Sequence, residues 1–202
     1  MVGSIGANWK PIPWEAKLPE QLLLLDAVAA IKNCLPKCGK VRVVTIDGPA
    51  GCGKTTLATR LANELEQASV IHLDELYEGW DKALEPVLFE RIQAWILKPL
   101  ESGLPPRHLR YDWEKMAFSS WNEVAYTPVV IIEGVGSGHT SLRQQVSHAI
   151  WIEADEELRL ERVIARDGES IRAEMLIWQE REKAYFDLHE VKRFADLHFR
   201  GQ

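Results

Sequence analysis

The sequence predicts an α/β fold: a mostly parallel sheet of about five strands, flanked by helices, with an additional helix at the N-terminal end. Three observations predict it. Short β-branched apolar runs at 41–46, 69–73, 129–132 and 148–153 are separated by longer amphipathic segments. The runs are apolar at nearly every position rather than alternating, as strands buried on both faces are. Carboxylates stand at or just past their ends, namely Asp47, Asp74, Glu133 and Glu153, where sheets of this kind bind ligands.

The elements follow in order. Residues 1–17 carry Gly, Pro and two Trp without periodicity and are expected to form an irregular arm. A helix is predicted over 19–33, with Pro19 near its start and Gly39 beyond its end. The run 41–46 is the first strand, followed by a Gly-rich turn and a helix over 53–67. The second strand is 69–73. Residues 84–100 have helical spacing, with a break expected near Pro99. Pro105-Pro106 marks a loop, and Pro128 opens a third strand at 129–132. A fourth strand at 148–153, helices at 156–166 and 170–194, and a last strand at 197–200 complete the chain. Residues 1–40 thus read as an arm and a helix packed on a core domain of 41–202.

Composition bounds the function classes. The 202 residues are 46% hydrophobic and 27% charged, enough for an apolar core without disulfide or metal staples. Lys plus Arg is 24 against 30 Asp plus Glu, a net charge of −6, which argues against a dedicated nucleic-acid binder. Cys34, Cys38 and Cys52 match neither a disulfide framework nor a zinc pattern. The apolar run at 22–31 is interrupted by Asp26 and is too short to span a bilayer. The first residues lack the charge and apolar pattern of a signal peptide. The expectation is a cytoplasmic protein with reduced thiols and no membrane or nucleic-acid partner; a homo-oligomer stays open.

The strongest motif follows the first strand. Gly48-Pro-Ala-Gly-Cys-Gly-Lys-Thr55 fits G-x-x-x-x-G-K-[ST], the phosphate-binding P-loop, between a strand and a helix. Glycines let the loop turn so that successive N–H groups point at phosphate, and the following helix adds its positive end. Lys54 reaches the β- and γ-phosphates, and the Thr55 hydroxyl ligates Mg²⁺. Gly48, Ala50, Gly51, Cys52, Gly53, Lys54, Thr55 and Thr56 form the nucleotide-contacting set, with ATP as the default nucleotide. The fold class is therefore the three-layer P-loop NTPase sandwich.

The second strand runs into His72-Leu-Asp-Glu-Leu-Tyr77. Asp74 has two readings: a helix cap after the strand, or a base that takes the proton of an acceptor hydroxyl facing the γ-phosphate. His72, inside the strand, is expected to be packed. Here the sequence resembles the uridine kinase-like, or nucleoside and pantothenate kinase-like, P-loop kinases. Their second strand ends in S-x-D-x-F-Y, which implies Asp74 as catalytic base and Tyr77 as an acceptor contact. Tyr111-Asp112-Trp113 matches the family's P-x-Y-D-F-x-x-H-x-R, implying acceptor roles for Tyr111 and Trp113. Met116 and Phe118 replace that motif's His and Arg. Glu133-Gly134 is similar to the family's strand ending in E-G, and a carboxylate beside the P-loop strand suits Mg²⁺ and its waters, facing the substrate. The stretch 158–167 looks like the family's helix leading into a lid. Its Arg162 and Arg166 share one face and could clamp the transferring phosphoryl group, or pair with Glu157, Glu161 or Glu169. The lid, near 166–172, is shorter than the family's and keeps only Arg172.

The leading reading is an Mg²⁺- and ATP-dependent kinase acting on a hydroxyl of a small, nucleoside-like molecule. A cytidylate-type nucleoside monophosphate kinase and a regulatory P-loop ATPase with a protein partner are the alternatives. Of the eight Trp, Trp80, Trp113 and Trp121 are placed to wall an acceptor pocket, whereas Trp95 and Trp178 lie on helical stripes and are expected in the core.

Overall fold

The computed structural model describes residues 20–201; the expected arm over 1–17, and Pro19, lie outside them. Helix α1 (Glu20–Asn33) leads into β1 (Arg42–Asp47), α2 (Lys54–Leu65) and β2 (Ala68–His72). A helical stretch follows from α3 (Pro86–Arg91) to α4 (Lys98–Glu101), then the strands β3 (Arg107–Asp112) and β4 (Ala117–Glu123). The chain closes with β5 (Val129–Glu133), β6 (Val146–Glu153), α5 (Glu156–Asp167), α6 (Arg172–His189) and β7 (Leu197–Arg200).

Five parallel strands form one sheet in the order β2-β5-β1-β6-β7. Apolar side chains cover both its faces, because successive residues of its apolar strands point to opposite sides. Val129 and Ile131 of β5 pack with Val44 and Ile46 against Leu24, Ala27 and Ile31 of α1 and Leu57 and Leu61 of α2. Val130 and Ile132 face the other way, with Val43 and Ile71, toward Leu88 of α3 and Trp178 and Tyr185 of α6. This is the three-layer P-loop NTPase sandwich with an extra N-terminal helix.

Three features depart from the expected layout. The helix through Pro99 does not break there. A π-helical turn at Ile92–Leu97 joins α3 to α4, and Pro99 sits in the first turn of α4. Proline lacks an N–H and clashes with the carbonyl four residues back; in the wider turn that precedes it the Lys98 N–H bonds to the Gln93 carbonyl, five residues back rather than four. The second departure is the antiparallel hairpin β3–β4, whose alternation is disturbed by a register shift between Leu109 and Tyr111. Asp112 builds its turn by accepting the N–H groups of Glu114 and Lys115 at 3.1 and 3.0 Å. Third, α6 spans 172–189 rather than 170–194. A short 3-10 turn at Glu169–Ile171 precedes it, and it ends at Glu190 with φ 46°.

Candidate active site

The P-loop leaves β1 at the centre of the sheet. Its conformation demands glycine at two points. A Cβ on Gly48 (φ 147°) would lie 1.9 Å from the Ile152 carbonyl oxygen, and one on Gly51 (φ 77°) would lie 2.4 Å from that of Arg159. Helix α2 starts after Gly53 with no side-chain cap, so its first N–H groups are directed at whatever the loop encloses. Lys54 Nζ donates to the carbonyls of Gly48 (2.7 Å) and Pro49 (2.9 Å).

A buried ion pair holds this loop from behind. Glu182 of α6 accepts the Ala50 N–H at 2.8 Å and the Arg159 guanidinium at 3.1 Å, while Arg159 also donates to the carbonyls of Ala50 and Ala154. Burial raises the Glu182 carboxyl above its ordinary pKa, partly offset by the Ala50 N–H and the charges of Lys54 and Arg159. Glu182 lies on the buried stripe Met175, Trp178, Glu182 and Tyr185. A carboxylate on an apolar stripe is the sequence signal that could have singled it out.

Parallel register brings the strand ends together. Glu133 is aligned with Ile46 of β1 on one side and with His72 of β2 on the other. Its Oε1 accepts the Thr55 hydroxyl at 2.9 Å and lies 2.6 Å from His72 Nδ1. His72 is thus half-exposed and tied to Glu133, not simply packed. Its pKa is raised, chiefly by that hydrogen bond. The Thr55 hydroxyl and Glu133 carboxylate form a hard-oxygen pair of the kind that fits Mg²⁺, which takes few protein ligands beside phosphates and water. At the last residue of β1, the buried carboxyl of Asp47 accepts three backbone N–H groups, from Gly48, Gly136 and Gly138. Burial pushes its pKa from the ordinary 3.8 up to about 6.

Asp74 sits in a single 3-10 turn, Leu73–Glu75, beyond β2. Its carboxyl opens onto a cavity of about 250 Å³ that is also lined by Lys54, Thr55, Glu133, Arg162 and Arg166. Asp74 is exposed to solvent at this cavity, yet partial loss of water around its carboxyl raises its pKa; the Glu133 charge adds to the rise, and His72 and Arg166 oppose it. Arg162 of α5 donates weakly to the Gly51 carbonyl at 3.4 Å. Arg166 is paired with neighbouring Asp167 through two hydrogen bonds, not with Glu157, Glu161 or Glu169. Glu169 instead binds Arg172, from the 3-10 turn to the first residue of α6.

Aromatic side chains stand beside Asp74. The Trp113 indole N–H donates to the Asp74 carbonyl at 3.2 Å. Trp80 lies 5.2 Å from Trp113 and 5.5 Å from Trp178, ring centre to centre, and Tyr111 lies 5.3 Å from Trp113. Trp178 joins this group. Trp121 does not: it is half-exposed on β4, against Trp95 and the Arg107 guanidinium. The Tyr77 ring lines the cavity, but its hydroxyl is committed to the Val135 carbonyl at 2.6 Å. Tyr111 is buried, its hydroxyl 3.9 Å from the Met116 sulfur, and Phe118 lies under the Arg91 guanidinium. The charges around this wall are mutually paired: Glu75 with Arg110, Glu78 with Arg91 and Lys82, Asp81 with Arg181.

A family profile described as an AAA domain matches residues 44–186. Uridine-cytidine kinase C of Dictyostelium discoideum is 29% identical over 151 residues, covering 70% of this chain and 33% of that protein. The chain thus spans about one third of the length of that relative. A possible uridine kinase from Bacillus stearothermophilus superposes with a TM-score of 0.66 at 20% identity, covering 89% of this chain and 98% of the other. A candidate fructose transport system kinase from a Silicibacter species gives a TM-score of 0.70 at 18% identity, covering 91% and 100%. Both likenesses are likenesses of fold. No helix among the described residues is long and apolar enough to cross a membrane.

Proposed function

Since the chain belongs to the AAA-domain family of P-loop proteins, we propose that it is an Mg²⁺- and ATP-dependent kinase that phosphorylates a hydroxyl of a neutral, nucleoside-like small molecule. One observation carries this reading. The carboxyl of Asp74 opens onto the same cavity as Lys54 and Thr55 of the phosphate-binding loop. An acceptor hydroxyl there meets a base on one side and the γ-phosphate on the other.

In this account the triphosphate lies along the P-loop, and Lys54 exchanges the Gly48 and Pro49 carbonyls for phosphate oxygens. A second cavity of about 350 Å³ shares Gly51, Gly53, Thr56 and Arg162 with the first and runs to Ile152, Phe199 and Gly201; it takes the nucleoside end of ATP. Thr55 and Glu133 would hold Mg²⁺, which when bound neutralises charge on the phosphates. Asp74 accepts the hydroxyl proton as the acceptor oxygen bonds to the γ-phosphorus and the bond to the β-γ bridging oxygen breaks, leaving ADP. A carboxyl with a raised pKa is a stronger base for that proton. Arg162 and Arg166 face the transferring group and stabilise its spread charge.

A neutral acceptor is favoured over a nucleotide because the cations beside the aromatic wall, Arg91, Arg110 and Arg181, are already bound to carboxylates. A phosphate on the acceptor would have to break those pairs. The family resemblance and the uridine-cytidine kinase relative support a nucleoside-like acceptor. The test is ADP release and product mass over a panel of nucleosides, pantothenate-like alcohols, sugars and nucleoside monophosphates. ATP turnover that no acceptor accelerates would refute the reading and favour a regulatory ATPase.

A further inference from the structure

The two halves of the proposed reaction centre are carried by strands that do not touch. The phosphate-binding loop follows β1 and Asp74 follows β2, with β5 between them in the sheet. Phosphoryl transfer needs the acceptor oxygen within about 3–3.5 Å of the phosphorus, and an error of about 1 Å costs on the order of 10²-fold in rate. Something must set the separation of the two strand ends, and the continuation of β5, residues 134–138, is placed to do so.

Both halves grip that segment. On the nucleotide side, Asp47 immediately precedes the P-loop. Its Oδ1 accepts the Gly48 N–H at 2.7 Å, while Oδ2 accepts the N–H groups of Gly136 (3.2 Å) and Gly138 (2.8 Å). One carboxylate therefore joins the root of the P-loop to the segment. On the acceptor side, Tyr77 donates its hydroxyl to the Val135 carbonyl at 2.6 Å, three residues after Asp74. Gly134 completes the hub: its N–H donates to the Ile46 carbonyl at 3.1 Å. A Cβ on Gly134 would approach Leu73, the neighbour of Asp74, to 2.7 Å. Asp47 does not line the cavity, so it acts through the backbone and not on a substrate.

We propose that Asp47 and Tyr77 are positioning residues that clamp residues 134–138 from opposite sides and so fix the P-loop relative to Asp74. The inference rests on the phosphotransferase reading above. It implies that nucleotide bound on the P-loop is felt at 134–138, although that segment belongs to another strand.

The test combines Asp47→Asn and Tyr77→Phe, the second removing a single hydroxyl, with hydrogen exchange, ATP affinity and turnover. In the wild type, Mg·ATP should slow exchange in 134–138 as well as in 50–56. Both variants should bind ATP about as tightly as the wild type and keep the protection at 50–56. They should lose it at 134–138, and their kcat should fall about 10- to 100-fold. If Asp47→Asn does not fold, Tyr77→Phe decides alone. Wild-type kcat in the folded variants, or a kcat loss matched by lost ATP affinity, would overturn the inference. ATP binding by the wild type with protection confined to 50–56 would overturn it while leaving the kinase reading standing. A wild type that does not bind ATP would overturn both.

Discussion

Replacing Glu182 by Ala tests the brace behind the phosphate-binding loop. Glu182 is 2% exposed and is the carboxylate partner of Arg159, whose side chain is only 10% exposed. The substitution leaves that guanidinium buried with two long bonds to carbonyls, at 3.2 and 3.3 Å. It also removes the acceptor of the Ala50 N–H. Breaking one side of a buried ion pair costs about 3–5 kcal/mol. For a chain of this size each kcal/mol moves the melting temperature by about 2–4 °C, so Glu182→Ala should melt about 6–20 °C lower. ATP affinity should fall too, because Ala50 is no longer tethered. Replacing both partners with apolar residues, Arg159→Met with Glu182→Met, leaves no charge stranded and should recover most of the stability. ATP binding should stay weak in that double variant. Thermal melting and calorimetric titration with Mg·ATP read the two effects separately. A Glu182→Ala protein melting within a degree or two of the wild type would refute the reasoning about the pair. A double variant with wild-type ATP affinity would refute its role in holding the loop.

Other outcomes follow from the same geometry. Asp74→Asn should leave ATP affinity nearly unchanged and cut phosphoryl transfer by about 10²–10⁴-fold; full activity would remove Asp74 as the base. Asp47, raised from 3.8 to about 6 by burial, makes the folded protein bind more protons than the unfolded chain between those pH values. Its contribution to stability should therefore fall as pH rises from about 4 to 6 and stay level above. The difference in urea midpoint between wild type and Asp47→Asn isolates that slope, and a difference independent of pH would contradict it. Acceptor binding should perturb Trp fluorescence through Trp80 and Trp113, and Trp113→Phe should shrink the signal. An unchanged signal at saturation would count against an aromatic acceptor wall.

What was legible in the sequence was local. The P-loop announces itself because its chemistry needs adjacent residues, and the four apolar runs announce a parallel sheet because burial on both faces leaves no alternation. Glu133 could be singled out as the carboxylate that ends such a run. What escaped depends on register and on distant elements. His72 read as a packed strand residue because only the alignment of β2 with β5 places it against Glu133. The hairpin β3–β4 is not legible locally because charged residues and a register shift blur its alternation. Asp47 reads as a strand-end carboxylate, but its bonds to Gly136 and Gly138 cross some ninety residues of chain. Glu182 lies farther still from the loop it holds. Trp121 follows Trp113 closely in sequence and so reads as a neighbour of the acceptor, yet the hairpin carries it to the other side of Phe118, against Trp95.

The most direct test of the central claim is to follow the γ-phosphoryl group itself. The protein is incubated with Mg²⁺, γ-labelled ATP and an equimolar mixture of nucleosides and nucleoside monophosphates, and the labelled product is identified by mass. The account predicts label on a hydroxyl of a neutral acceptor, at a rate that Asp74→Asn lowers by about 10²–10⁴-fold. Label appearing only in free phosphate, or on the phosphate of a monophosphate, would contradict it.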